Sequence, residues 1–245
     1  MLARRALAEL IGTALLLVAV VGSGIAAQRL SPGDTGLQLL ENAAATAAAL
    51  MAIILAVGPV SGAHLNPVVT LVDRVLGGVD SRTAVAYVAA QTAGAALGTV
   101  LANLMFGLSA VDWSSTGRSG GGLWLGEVVA TFGLLLVVFG VVRSGRAGMA
   151  PFAVGAYIGG AYFFTSSTSF ANPAVTLART LSDTFAGIAP GSVPAFVVAQ
   201  LVGALVGLAA VRALYPRVDE SAGDVVVPLD GGDEHPVPPR RSSRR

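Results

Sequence analysis

The sequence predicts an all-α membrane protein of six transmembrane helices and two re-entrant half-helices, arranged as an inverted repeat. Three observations predict it. Of the 245 residues, 54% are hydrophobic and only 12% are charged, against about a quarter charged in a soluble domain. Apolar stretches recur along the chain, and about 20 such residues cross a bilayer as a helix. Two short segments, "HLNPVVTLVD" and "FANPAVTLAR", repeat one pattern in the two halves of the chain.

The spans fall at about 6–27, 37–57, 83–105, 122–142, 149–168 and 193–214. The first reads as a span rather than a cleaved signal peptide. Glu9 interrupts it, and its apolar stretch exceeds the usual signal core. Every basic residue is arginine. Arg4, Arg5, Arg74, Arg82, Arg143, Arg146, Arg212, Arg217 and the four tail arginines fall on one side of a six-span arrangement. Arg29, Arg118 and Arg179 fall on the other. The positive-inside rule then puts both termini in the cytoplasm. One membrane domain is expected over 1–215, with halves at about 1–110 and 120–215. From 216 to 245 proline, glycine and charge dominate, which reads as a disordered cytosolic tail with His235 solvated in it.

Other classes are excluded by what the chain lacks. Without cysteine there is no disulfide, thiol chemistry or Cys-based metal site. A net charge of +1 gives no case for nucleic acid. No Ser-His-Asp set, metal-ligand cluster or phosphate loop stands out, so neither an enzyme nor a cofactor is expected. "GRSGGGLW" lacks the strand–helix setting of a nucleotide site and reads as an outer loop.

An internal repeat organises the membrane domain. "AELIGTALLL" resembles "GEVVATFGLLL" and aligns Glu9 with Glu127. "AQTAGAALG" matches "AQLVGALVG" and aligns Gln91 with Gln200. Each half reads as span, span, Asn-Pro loop, span. Three spans is an odd number, so the second half enters from the opposite face and the repeat is inverted.

Asn is a good helix N-cap and Pro suits the first helical position. Asn66-Pro67 and Asn172-Pro173 should therefore each start a helix. The runs that follow last about three turns, too short to cross, and Gly77-Gly78 stops the first. Inserted from opposite faces, two such half-helices meet N-terminus to N-terminus near the midplane. Their partial positive charges repel cations, and each Asn amide offers a donor to a passing oxygen. A carboxyl at this depth is costly unless hydrogen-bonded, so Glu9 and Glu127 are expected to hold the loop backbone before each half-helix.

With "SGAHLNPVVT", "NPAVT", Glu9, Glu127, Gln91 and Gln200 at their places, the chain resembles the aquaporin or major intrinsic protein family over about residues 6–214. The resemblance implies a pore in each subunit of a homotetramer in the bilayer. It implies that Asn66-Pro67-Val68 and Asn172-Pro173-Ala174 form the two pore motifs, their Asn side chains acting on the permeant. His64 matches the family's loop histidine and stands either by the pore or in helix packing. Most members carry Arg after the second Asn-Pro-Ala, in a narrow outer constriction; this chain has Val175. By the family pattern the other constriction positions fall at Thr46, Ser169 and near Gly160, within two residues, so Tyr162 also fits.

Those residues imply a wider, less charged constriction than a strict water filter, because diameter and lining donors decide which uncharged solutes pass. Glycerol is the generic solute. A bacterial branch with similar "TSSTSFANPAVT" stretches is associated with metalloid resistance, which adds neutral arsenite and antimonite hydroxides. Arg179, one turn beyond Val175, either returns a positive charge to the outer vestibule, pairs with Asp183, or makes a subunit contact. The alternatives are a water-selective channel, a coupled secondary transporter using Glu9 and Glu127, and a structural protein with a vestigial pore. All-Arg, Ala/Val/Gly-rich usage points to a bacterial plasma membrane.

Overall fold

The computed structural model describes residues 1–215; the tail expected at 216–245, with His235, lies outside the described residues. Eight α-helices follow in order: α1 Leu2–Leu30, α2 Thr35–Ser61, α3 Pro67–Leu76, α4 Ser81–Met105, α5 Gly121–Arg143, α6 Ala150–Phe164, α7 Pro173–Ala178 and α8 Val193–Leu214. Among the described residues there is no strand. Among the described residues six helices are long and apolar enough to cross a membrane; α3 and α7 are not.

Local chemistry fixes the ends. Asp34 and Asp80 cap α2 and α4, accepting from Leu37 N at 2.9 Å and Thr83 N at 2.6 Å. The Thr83 amide holds the exposed Asp80 carboxyl below the usual carboxylate range. α2 ends on Gly62 and α3 on Gly77, with φ of 85° and 89°, a left-handed turn that glycine adopts without strain. The fifth span is shorter than expected. It stops at Phe164 because Thr165 turns extended and the chain enters the second loop. α7 is also short, tightening at Arg179–Leu181 into a 3₁₀ turn. "GRSGGGLW" divides: 117–120 is loop, and α5 starts at Gly121.

The repeat is visible in the packing. α1 lies along α4 and α5 lies along α8. Gly94 and Gly98 press against the backbone of Leu10 and Ala14, while Gly203 faces Val128 and Gly207 faces Leu135. Small residues four apart let helix backbones approach closely. A Cβ at Gly98 would fall inside contact distance of the Ala14 carbonyl. Gly98→Ala is therefore expected to cost about 1–3 kcal/mol, read as a lower thermal unfolding temperature in detergent. An unchanged temperature would show that the two helices separate without penalty.

Candidate functional site: two opposed half-helices and the cavity beside them

Each half-helix begins as the sequence dictates. Asn66 Oδ1 accepts from Val68 N at 3.0 Å. Asn172 Oδ1 accepts from Ala174 N at 3.0 Å and Val175 N at 3.3 Å. Pro67 and Pro173 occupy the first turns. The side-chain amides then cross between the halves. Asn66 Nδ2 donates to Ala171 O and Asn172 Nδ2 to Leu65 O, both at 2.8 Å. This reciprocal pair locks the two N-termini head to head. Each amide has two protons, so one of each remains for a third oxygen.

The loops reach this geometry through strained backbone. Ala63 and Leu65 have φ of 49° and 50°; Ser169 and Ala171 have 53° and 47°. These positions correspond in the two halves, one and three residues before each Asn. A non-glycine residue at positive φ is uncommon and persists only where its surroundings hold it.

Two glutamates hold it. Glu9, fully buried, accepts from His64 N at 3.0 Å, Leu65 N at 2.7 Å, Ser61 Oγ at 2.7 Å and Gln91 Nε2 at 2.8 Å. Glu127, equally buried, accepts from Phe170 N at 2.8 Å, Ala171 N at 2.9 Å and Gln200 Nε2 at 2.6 Å. The glutamines continue the network: Gln91 donates to Thr70 Oγ1 at 3.0 Å and Gln200 to Thr176 Oγ1 at 2.8 Å. Each threonine donates back to the carbonyl of its Asn, at 3.1 and 2.8 Å. Thr70, Thr176 and Ser61 are the members that sequence reasoning missed. The signal for the two threonines was present in "NPVVT" and "NPAVT", which both end in Thr four residues after Asn.

One cavity runs past both asparagines. Its wall includes Thr46 from α2, Tyr162 from α6, Ser169 from the second loop, Val175 from α7, and His64 beside Asn66. Leu16, Val20, Leu50, Ile54, Leu134 and Val138 make the rest mostly apolar. Thr46 Oγ1 lies 3.3 Å from Tyr162 Oη. The buried Ser169 hydroxyl has no partner among the described residues. Of the expected constriction residues, Gly160 is the one to correct: it is exposed and absent from the wall. Two helical residues turn about 200°, so Tyr162 faces inward where Gly160 faces out. Val68 also lies off the wall and is fully buried.

Arg179 is 2% exposed and lines both this cavity and a second one shared with Thr35, Asn42, Arg118, Thr168 and Phe185. Its guanidinium carbon sits 3.5 Å from the centre of the Phe170 ring, and its Nε donates to the Ala186 carbonyl. Arg118 comes to the same ring at 5.1 Å and donates to Gly187 O and Phe185 O. The alternative pairing with Asp183 is not formed. That carboxylate instead accepts from Ser115 N at 2.9 Å and from its hydroxyl. Among the described residues no group of three or more His, Cys, Asp or Glu is placed to hold a metal ion.

The chain matches the family model described as "Major intrinsic protein" over residues 1–169 and 154–232. It is 50% identical over 182 residues to aquaglyceroporin AqpS of Rhizobium meliloti (strain 1021), spanning 74% of this chain and 77% of that one. It is 31% identical over 207 residues to the probable aquaporin AqpM of Archaeoglobus fulgidus, spanning 74% and 84%. The X-ray structure of the aquaglyceroporin from Plasmodium falciparum superposes with a TM-score of 0.70. That match covers 90% of this chain and 100% of the other at 24% identity, and so bears on the fold.

Proposed function

Since this chain belongs to the major intrinsic protein family, a multi-pass membrane channel family rather than an enzyme family, we propose that it passively conducts water and small uncharged solutes, glycerol among them. The observation that carries the solute reading is Val175. The residue after Asn-Pro-Ala lines the cavity with an apolar side chain, in a wall it shares with Thr46, Tyr162 and Ser169. The free Ser169 hydroxyl and the spare proton on each Asn amide supply hydrogen-bonding sites for a polyol along an apolar wall. Neutral arsenite and antimonite hydroxides have the same size class and hydroxyl pattern, and belong to the proposed range. The 50% identity to a protein called an aquaglyceroporin supports this reading.

Coupled transport is disfavoured by the glutamates. Glu9 and Glu127 already accept loop amides and a glutamine, so neither is open to a coupling ion. We read the protein as a homotetramer in a bacterial plasma membrane with both termini cytoplasmic, from the family resemblance and the arginine distribution.

Stopped-flow light scattering on proteoliposomes under an inward glycerol gradient tests the proposal. Shrinkage followed by re-swelling faster than in empty liposomes is expected. Re-swelling no faster than the control would make a water-selective channel the better reading. Arg179→Ala, in the same vesicles, is expected to raise proton leak, because it removes a buried guanidinium from the outer end of the path. An unchanged leak would remove Arg179 from the filter.

A further inference from the structure

The inner half of the repeat contains an ionisable pair that the cavity description leaves unexplained. In each half, the residue two before Asn meets the residue seven after it. In the second half these are Phe170 and Arg179, ring and guanidinium in contact. In the first they are His64 and Asp73, with Nε2 and Oδ2 3.7 Å apart. Asp73 is 1% exposed, and neither carboxylate oxygen has a hydrogen-bond partner among the described residues. It also sits in the last turn of α3, where the helix dipole disfavours a negative charge.

The neighbours of His64 say where the protons are. Thr70 Oγ1 has a single proton, which it gives to Asn66 O at 3.1 Å. The equivalent Thr176 does the same at 2.8 Å, and there the neighbouring ring is Phe170, which offers no acceptor at all. Thr70 Oγ1 is therefore the acceptor towards Gln91 Nε2 and towards His64 Nδ1, each at 3.0 Å. Nδ1 must then carry a proton, and a neutral ring would turn the Nε2 lone pair towards the Asp73 carboxylate. Two acceptors facing each other out of water repel. One more proton resolves the conflict, held on Asp73 or on Nε2, across a 3.7 Å gap that is an ion-pair rather than a hydrogen-bond distance.

We infer that His64 and Asp73 share this proton, and that Asp73 is a positioning residue that fixes the tautomer and placement of His64 in the cavity wall. Asp73 itself lies behind the wall; His64 is part of it. The other groups around the pair are already engaged. From α1, Arg5 donates to Tyr87 Oη at 2.8 Å, and Glu9 holds the loop. From α4, Tyr87 donates to Ser61 O at 2.7 Å and meets the His64 ring edge-on at 5.1 Å. Arg143 of α5 and Arg5 are the cations that act on Asp73 through space. Arg74 turns outward to Ser81, and Arg212 of α8 is exposed. Arg179 of α7 belongs to the outer half. The titratable partner within reach of Asp73 is thus His64. Gain or loss of the shared proton changes the charge and hydrogen-bonding edge of the wall.

The consequence for flux rests on the channel reading; the proton placement does not, and two measurements keep them apart. The chain has two histidines, so ¹⁵N-histidine labelling of the full chain carrying His235→Gln leaves one imidazole. Solid-state NMR in liposomes at neutral pH is expected to show Nδ1 protonated and Nε2 displaced from the free-acceptor position. In Asp73→Asn, whose amide does not titrate, Nε2 should return to an ordinary acceptor. A bare Nδ1 with the proton on Nε2, or a spectrum that Asp73→Asn leaves unchanged, overturns the inference. Glycerol permeability of the wild type should change between about pH 5 and 8, by roughly fivefold if one hydrogen bond in the wall is made or lost. Asp73→Asn should be flat. A wild-type profile as flat as the variant's overturns the link from proton to wall, while a wild type without glycerol flux at any pH overturns the glycerol reading and leaves the spectra to decide the pair.

Discussion

Glu127→Leu is expected to abolish the folded protein rather than slow its transport. The substitution strips the acceptor from Phe170 N, Ala171 N and Gln200 Nε2 at once. Each buried donor left unpaired costs about 1–3 kcal/mol. Three of them approach the 5–15 kcal/mol by which a typical domain is stable. The loop they hold also contains Ser169 and Ala171 at positive φ, so the strain loses its restraint in the same step. Detergent extracts should show aggregated material and no cooperative unfolding. Glu127→Gln keeps the shape and one acceptor oxygen, and should fold with a lowered unfolding temperature. Glu9→Leu should be at least as severe, since Ser61 is a fourth donor there. A Glu127→Leu protein that elutes and conducts like the wild type would show that the loops hold themselves.

The largest effect on selectivity is expected from Val175→Arg. Val175 is the third residue of α7, its amide fixed by Asn172 and its side chain in the cavity wall. A guanidinium projected from there enters the space between Thr46, Tyr162 and Ser169. It narrows the passage and adds a charge that holds water tightly. Glycerol flux should fall on the order of tenfold, the effect of about 1.4 kcal/mol of added barrier. Water flux should change far less, because a water molecule passes a constriction that a three-carbon polyol does not. Parallel water and glycerol measurements on one vesicle preparation decide it. Undiminished glycerol flux would place the selective step elsewhere, with Arg179 as the next residue to vary.

Much of this site was legible in the sequence because it is written twice. Glu9 with Glu127, Gln91 with Gln200 and Asn66 with Asn172 recur in one order, and the structure brings each set together in the same way. The asparagine caps and the Gly77 stop follow from local backbone chemistry, which a short window of sequence contains. The fifth span was harder to bound, because its end at Phe164 depends on the loop that follows rather than on hydropathy. Gly160 was misplaced for a related reason. A count along a helix is uncertain by a residue or two, and each residue turns the side chain by about 100°.

The sequence by itself determined the membrane class, the six spans, the inverted repeat and the two short helices, since these rest on composition, periodicity and capping. Only the tertiary structure decided which side chains meet. It crossed the asparagine amides to opposite loops, chose Tyr162 over Gly160, laid Arg179 on Phe170 instead of Asp183, and set Asp73 behind His64. These outcomes depend on how residues distant in the chain face one another across a packed interior. That facing is fixed by the joint packing of both halves, and neither half contains it alone.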